Sequence, residues 1–260
     1  MSLTVSESGT KGAPTIVFMH GAGLSGWMWQ AQIDTLQDFH CLNIDLPGHG
    51  KSNHIPWVSM ADTANQVAAL IHDRATNQKA HVVGLSLGAY VTTALLANHT
   101  ACVDRAVISG MTAFPLPRAT LMKMQMFFMS FLMQNPWFIK QQARMLQMPE
   151  DVIPYYFESM RAMSRQTFMQ IFNELLYYRL PANLNRAQVS TLVTAGSLEM
   201  PLILESIPEI TRSLPRAESR LAEGGHHGWN GEAPELFSSM IRAWITETPL
   251  PEGLITPQMA

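Results

Sequence analysis

The sequence is poor in cysteine and in charged residues. Its 260 residues include only two cysteines, Cys41 and Cys102, which cannot build a disulfide framework and fit a reduced compartment. Charged residues make up 14% of the chain and the formal net charge is −3, which argues against a nucleic-acid partner because such a partner needs a basic surface. Hydrophobic residues make up 47%, a share that excludes an intrinsically disordered chain.

The sequence also lacks a segment long enough to span a membrane. The one membrane-like stretch, residues 121–133, has 13 residues that include Lys123 and Gln125, whereas a spanning helix needs about 20. This stretch is predicted to be a buried or lid helix, with an interfacial anchor as the alternative. The N-terminal residues contain no basic region followed by an apolar region, so we expect no secretory signal and a cytoplasmic location.

Short apolar runs alternate with helical patterns in both halves of the chain, which predicts an α/β fold with a mostly parallel sheet. The runs are nearly continuous in apolar residues, as expected of strands buried on both faces. The predicted strands are residues 15–20, 41–45, 80–84, 103–109, 189–196 and 218–224. The predicted helices are residues 27–36, 60–74 and 87–98, and a last one after Pro234. Ser59 and Asp62 resemble a capping box at the start of the second helix.

The segment between the two α/β halves has a different composition. Eleven of the 18 methionines of the chain fall between Met111 and Met169, and 13 of its 22 aromatic residues fall between Phe114 and Tyr178. Repeated prolines predict several short helices rather than one long helix. We therefore expect residues 112–185 to form a helical cap, inserted into a core domain made of residues 1–111 and 186–260. The proline-rich tail from Thr246 onward is expected to be poorly ordered unless it docks back.

A Gly-x-Ser-x-Gly motif, Gly84-Leu85-Ser86-Leu87-Gly88, follows an apolar strand and opens a helix. This context is typical of a nucleophilic serine, because a tight turn holds Ser86 at the end of the sheet. The adjoining helix N-terminus supplies the Leu87 N–H and a positive dipole end for a developing oxyanion. The alternative is a glycine-rich turn that only packs or binds phosphate.

Three further segments join this motif in a resemblance to the α/β-hydrolase superfamily, and in particular to its small capped esterase-like members. His20-Gly21-Ala22-Gly23 resembles the oxyanion loop, and residues 45–52 resemble the turn after the next strand. Residues 226–234 resemble the loop that carries the catalytic histidine. The four segments follow the family's order, so the resemblance implies the α/β-hydrolase fold, a mostly parallel central sheet flanked by helices with an inserted helical cap.

The resemblance implies a catalytic triad in the order serine, acid, histidine. Only His226 and His227 lie beyond residue 100, and the family's spacing to Glu232 favours His227 as the base, with His226 as a neighbouring wall residue. Glu199 stands at the family's acid position, where aspartate is commoner, and no aspartate follows Asp151.

Several site assignments stay open at this point. Glu205 and Glu209 are the alternative acids, and a triad that lacks its acid is the third possibility. The resemblance places the oxyanion hole at the backbone N–H groups of Ala22 and Leu87. The family's other acid position, after the strand at residues 103–109, offers Gly110 and no carboxylate.

The Met- and Phe-rich cap predicts an apolar pocket, because methionine adapts to varied apolar ligands. Met126, Met129 and Trp229 are the expected substrate contacts, although methionines at helical spacing also fit the cap's own core. No cofactor is expected, and no metal site, because the remaining histidines show no ligand spacing.

Together these features imply a carboxylesterase-like serine hydrolase, which cleaves esters of small to medium apolar substrates through an acyl-enzyme intermediate. The same triad serves carbon–carbon bond hydrolysis, lactone or thioester cleavage and acyl transfer, so these activities remain alternatives. A hydrolase-like small-molecule receptor with slow turnover is the alternative of a different class. We expect a small apolar ester-like substrate, no nucleic acid, no transmembrane segment, and a monomer or homodimer.

Overall fold

The computed structural model describes residues 2–146 and 148–257. Within these residues eight strands form one sheet, in the order β1-β3-β2-β4-β5-β6-β7-β8. The strands β2 to β7 run parallel, while β1 and β8 pair antiparallel at the two edges. The strands are β1 (Thr4–Gly9), β2 (Thr15–Met19), β3 (His40–Asp45), β4 (Ala80–Leu85), β5 (Val103–Ser109), β6 (Ser190–Gly196), β7 (Ala217–Ala222) and β8 (Leu254–Ile255).

The mostly parallel sheet confirms the predicted fold class. Each of the six predicted strands agrees with an observed strand to within two residues at either end. The two edge strands were not predicted, because β1 carries the polar sequence TVSESG and β8 has only two residues. The tail that contains β8 docks back onto the sheet, since Leu254 pairs with Ala222 of β7.

Ten α-helices occur in the described part of the chain. Those of the α/β core are α1 (Gln30–Thr35), α2 (Met60–Arg74), α3 (Leu87–Asn98), α8 (Pro201–Ser213), α9 (Trp229–Glu232) and α10 (Pro234–Thr246). The predicted cap on α2 is present, because the Ser59 hydroxyl accepts a hydrogen bond from Asp62 N at 3.0 Å.

The sheet is covered on both faces, which explains its nearly continuous apolar strands. In β2, Val17 and Met19 face the hydrophobic cluster that includes residues of α2, α3 and α8. The intervening Ile16 and Phe18 face the opposite cluster, which includes Ile33 of α1 and residues of α10. Burial on both faces therefore fixes the sheet between two helical layers.

The segment between β5 and β6, residues 112–185, is helical and is called the insert below. In its described residues it contains α4 (Ala119–Met129), α5 (Pro136–Met145), α6 (Ile153–Ala162) and α7 (Arg165–Leu176). The insert lies against the loop that follows β2, where Trp27 Nε1 donates to the Ser159 hydroxyl at 2.9 Å. The insert thus adjoins the carboxyl edge of the sheet. Its status as a separate cap domain stays a prediction.

One expectation for the insert is wrong in part. Residues 121–133 were predicted to form a buried or lid helix, and a buried helix is contradicted because every residue of α4 keeps part of its surface exposed, whereas a lid stays a prediction. The main helix contact of α4 is with α7. None of the helices in the described part of the chain combines the length and apolar character that crossing a membrane requires.

Candidate active site

Ser86 lies on a sharp turn between β4 and α3. Its backbone has φ +53° and ψ −116°, a conformation that costs a residue other than glycine about 1–3 kcal/mol. The Ser86 N–H donates to Ser109 O at 2.8 Å, and the Ser86 carbonyl accepts from Ala89 N and Tyr90 N at the start of α3. These bonds hold the strained turn at the carboxyl end of β4 and leave the serine partly exposed.

Glycines flank Ser86 because α3 packs on the sheet at backbone distance. A Cβ on Gly84 would lie 2.3 Å from Gly88 O, and a Cβ on Gly88 would lie 2.1 Å from Met19 O. A side chain at either position would push α3 away from β2 and β4. The spacing of the Gly-x-Ser-x-Gly motif therefore follows from this close contact.

The two residues predicted to form the oxyanion hole belong to segments that meet beside the serine. Leu87 is the first residue of α3, so its N–H has no partner within the helix. Ala22 follows Gly21, where a Cβ would lie 3.4 Å from the Ser86 Cβ. The loop that contains Ala22 is therefore in contact with the serine turn.

His20 holds the shape of this loop. Its Nε2 accepts from Leu46 N at 3.0 Å, which leaves the proton on Nδ1 to be donated to Gly21 O at 2.8 Å. Burial lowers the pKa of His20 to about 4, so the ring stays neutral near pH 7. The His20 carbonyl also accepts from Gly88 N at 3.0 Å. One neutral histidine thus connects the ends of β2 and β3 to the start of α3.

Glu199 and His227 form a short hydrogen bond at the carboxyl edge of the sheet. Glu199 Oε1 lies 2.6 Å from His227 Nδ1. The glutamate side chain is 2% exposed and the imidazole 39% exposed. The second carboxylate oxygen accepts from Met200 N at 3.3 Å. A carboxylate held on Nδ1 orients the ring, stabilises its cation and leaves Nε2 to exchange a proton.

The turn that carries Glu199 is fixed by the segment after β7. Ser197 N donates to Ala222 O at 2.9 Å, and Leu198 N donates to Gly225 O at 2.9 Å. The acid and the histidine loop are therefore joined through their backbones as well as through their side chains. This local framework keeps the carboxylate in place while it remains almost fully buried.

Gly110 contacts the glutamate–histidine pair. The only sign of this role in the sequence was a glycine directly after a predicted strand. It adopts φ +67°, and a Cβ there would lie 3.1 Å from both Glu199 Oε1 and His227 Cε1. The preceding residue, Ser109, accepts the backbone hydrogen bond of Ser86. The end of β5 thus touches the serine turn on one side and the pair on the other.

The alternative histidine and acids have other surroundings. Glu232 Oε2 accepts from His226 N at 3.0 Å and lies 3.2 Å from His226 Nδ1. Glu205 and Glu209 lie in α8, where Glu209 accepts from Arg212 at 2.9 Å. Among the candidates, the structure brings one acid and one histidine together, and these are the two described above.

The three expected substrate contacts differ in their surroundings. Trp229 is fully buried, with its ring 4.3 Å from that of Phe237 and its indole N–H donating to the Ser109 hydroxyl at 3.1 Å. It therefore supports the end of β5 from within the core and has no free surface for a substrate. Met126 is partly buried and Met129 is exposed on α4, and their role in binding stays a prediction.

A methionine that the sequence did not single out reaches the loop that contains Ala22 instead. Met160 of α6 is buried, and its sulfur lies 2.9 Å from the position that a Cβ on Gly23 would occupy. Its neighbour Ser159 bonds to Ser25 of the same loop, with 3.2 Å between the hydroxyl oxygens. The only signal for Met160 in the sequence was the high density of methionine in the insert.

Among the described residues, no group of three or more His, Cys, Asp or Glu side chains is arranged to hold a metal ion. Both cysteines are free. Burial raises the pKa of the Cys41 thiol to about 11, which makes it a poor nucleophile at neutral pH.

The fold defines an α/β protein whose polar site lies at the carboxyl edge of a mostly parallel sheet, the usual place for a ligand site in such sheets. The sequence profile of the Alpha/beta hydrolase family matches residues 16–239. The chain belongs to this family.

Individual relatives agree with this assignment. An AB hydrolase superfamily protein of Gibberella zeae is 28% identical over 259 residues, which cover 95% of this chain and 85% of the relative. A pimeloyl-[acyl-carrier protein] methyl ester esterase of Vibrio atlanticus is 36% identical over 95 residues, only 35% of its length. The crystal structure of an enol-lactonase from Burkholderia xenovorans superposes with a TM-score of 0.80 at 18% identity, covering 94% of this chain and 96% of the other. At that identity the likeness concerns the fold.

Proposed function

We propose that the chain is a serine hydrolase that cleaves carboxylic esters of small to medium apolar substrates. The observation that carries the proposal is the 2.6 Å hydrogen bond between the buried Glu199 carboxylate and His227 Nδ1. It lies at the same sheet edge as Ser86, which is held in a strained turn that only surrounding packing can maintain. A strained serine together with an oriented histidine is the arrangement that nucleophilic catalysis needs.

In the proposed mechanism Ser86 Oγ attacks the ester carbonyl while His227 Nε2 takes the hydroxyl proton. The tetrahedral oxyanion accepts hydrogen bonds from the N–H groups of Ala22 and Leu87, next to the positive end of the α3 dipole. The C–O bond to the alcohol breaks and His227 gives that alcohol its proton. A water molecule then attacks the acyl-enzyme with the same histidine as base, which releases the acid and restores Ser86.

One observation supports an apolar substrate and another supports an ester. The insert places Met160 against the oxyanion loop, so the side nearest the reacting carbonyl is apolar. One relative, over the 95 residues that it shares with this chain, is a methyl ester esterase. Ester cleavage is accordingly the activity to test first, and the chain length of the acyl group is the property to measure.

The test is hydrolysis of p-nitrophenyl esters, from acetate to long acyl chains, by the wild type and by Ser86→Ala. We expect turnover with a chain-length optimum in the wild type and a loss of at least about 10⁴-fold in kcat for Ser86→Ala. Ser213→Ala is the matched control, because that hydroxyl donates to Glu209 O within α8. It should retain wild-type rates.

Two results would reject the proposal. Undiminished turnover by folded Ser86→Ala would remove the serine from the chemistry. A well-folded wild type without ester turnover would redirect the assignment to carbon–carbon bond hydrolysis, to acyl transfer or to a receptor with slow turnover. A thermal-shift screen of small apolar ligands separates the receptor from the enzymes.

A further inference from the structure

Large aromatic side chains in the first part of the insert are highly exposed to solvent. Phe128, Phe131 and Trp137 are 63%, 61% and 68% exposed. The helices that carry or flank them pack mainly in pairs, α4 against α7 and α5 against α6. The Phe127 ring centre lies 5.6 Å from that of Phe128 and 5.4 Å from that of Phe131, so these rings form a contiguous apolar surface, which marks a site of interaction.

The exposed side chains follow helical spacing. On α4, Leu121, Met124 and Phe128 stand at positions i, i+3 and i+7 and so share one face. On α5, Trp137, Lys140 and Arg144 have the same spacing. We call the exposed residues of 118–144 the basic apolar face, since large apolar side chains and cations occur on it together.

The charge of this face has a single sign. Between Asp104 and Glu150 the sequence contains no acidic residue, although the whole chain has a formal net charge of −3. The cations of the basic apolar face are all exposed, and they are Arg118, Lys123, Lys140 and Arg144. The face is therefore complementary to a surface that is both apolar and anionic.

A further cation holds the aromatic side chains in place. The guanidinium of Arg165 lies 3.6 Å from the centre of the Phe131 ring and 4.8 Å from that of Phe127. Its Nε donates to the Ser130 hydroxyl at 2.7 Å, which fixes the turn between α4 and α5. These contacts order the turn without covering Phe131, so the exposed rings are preorganised for binding.

We propose that the basic apolar face binds the surface of a bilayer that contains anionic lipids. The aromatic side chains enter the boundary between headgroups and acyl chains, and the cations face the lipid phosphates. A second copy of the chain fits the face less well. A two-fold symmetric interface would set this patch against itself, so cations would meet cations with no acid to pair with them.

The test is co-sedimentation with vesicles of phosphatidylcholine alone and of phosphatidylcholine mixed with phosphatidylglycerol. The protein carries Ser86→Ala, so the outcome is independent of the proposed hydrolase activity. We expect binding to the anionic vesicles that weakens as salt is added. Phe128→Ser and Trp137→Ser should each reduce it about tenfold, and Lys123→Gln and Lys140→Gln about fivefold each.

Ile255→Ser is the matched control, because Ile255 is an exposed apolar residue on the edge strand β8. It should leave vesicle binding unchanged, and circular dichroism should show that every variant is folded. Failure of the parent protein, which carries only Ser86→Ala, to bind either vesicle would overturn the proposal. The proposal would also be overturned if the parent protein were a dimer, Phe128→Ser converted it to a monomer, and neither form bound vesicles. The face would then be the contact surface with a second copy of the chain.

Discussion

At the scale of single residues, the glutamate–histidine pair depends on an asymmetric environment. The Glu199 carboxylate is almost fully buried, whereas the His227 ring is partly open to solvent. Burial strengthens the attraction between the carboxylate and an imidazolium, because the local dielectric is lower than that of water. The open side of the ring remains free to meet a substrate. A glutamate can therefore do the work of the commoner aspartate, with one extra methylene of reach.

Replacing Glu199 with glutamine tests this role. The amide keeps the shape of the side chain but loses the charge that stabilises the imidazolium, so we expect kcat for ester hydrolysis to fall about 10²–10⁴-fold. Glu205→Gln is the matched control on α8 and should hydrolyse esters like the wild type. If Glu205→Gln lost activity and Glu199→Gln did not, the acid would have to be reassigned.

At the scale of elements, the position of Ser86 is decided by how closely α3 approaches the sheet. The helix rests on β2 and β4 through backbone contacts at Gly84 and Gly88, and it begins at the serine itself. The same helix N-terminus supplies one of the proposed oxyanion donors. A change in the distance between helix and sheet would therefore move Ser86, the proposed nucleophile, and that donor together.

Gly88→Ala should show this coupling. Its Cβ would overlap Met19 O, so we expect the free energy of unfolding to fall by about 1–3 kcal/mol and ester hydrolysis to be lost. Gly231→Ala is the matched control, because nothing lies within 4 Å of a Cβ at that position. It should leave activity unchanged and stability equal or slightly higher. Urea unfolding and p-nitrophenyl ester assays measure both effects, and a fully active, stable Gly88→Ala would contradict the argument.

At the scale of the whole molecule, the order of the strands assembles a site from distant parts of the chain. The neighbouring strands β4, β5 and β6 end at Ser86, Gly110 and the turn before Glu199, and the segment after β7 adds His227. Parallel strands all finish at the same edge, so these groups converge although more than half of the chain lies between Ser86 and His227. The insert then lies beside this edge and borders it with apolar side chains.

The same edge contains two buried neutral histidines that make stability depend on pH. Burial lowers the pKa of His20 to about 4. Burial, together with repulsion between the two rings when His20 is protonated, lowers the pKa of His49 to about 3. Both values lie below the ordinary histidine pKa of about 6.5. At pH values between the lowered pKa and about 6.5, the unfolded chain therefore binds more protons than the folded one. Stability should therefore fall as pH falls from about 6.5.

Urea unfolding at pH 7 and pH 5 measures this loss. We expect each ring to contribute about 2 kcal/mol to the decrease in the free energy of unfolding between the two pH values. His49→Gln should remove its share of the decrease, whereas His54→Gln, at an exposed position, should keep all of it. An unchanged pH dependence in His49→Gln would show that the buried ring is not its source.

Much of the fold and part of the site follow from contiguous residues. Strand and helix periodicity, the Ser59 cap and the glycines around Ser86 are local features, so the sequence predicts the central strands, α2, α3 and the serine turn. The edge strands β1 and β8 escape such prediction. Their positions depend on pairing with β3 and β7, which lie elsewhere in the chain.

The sequence by itself determined the α/β architecture and the candidates for nucleophile, acid and base. Only the tertiary structure decided which candidates meet, since Glu199 reaches His227 while Glu205 and Glu209 stay on α8. It also decided that Trp229, an expected substrate contact, is buried and that α4 is an exposed helix and not a buried one. The physical reason is that an apolar side chain looks the same in sequence whether it fills a core or covers a surface. Its burial depends on which distant elements pack over it.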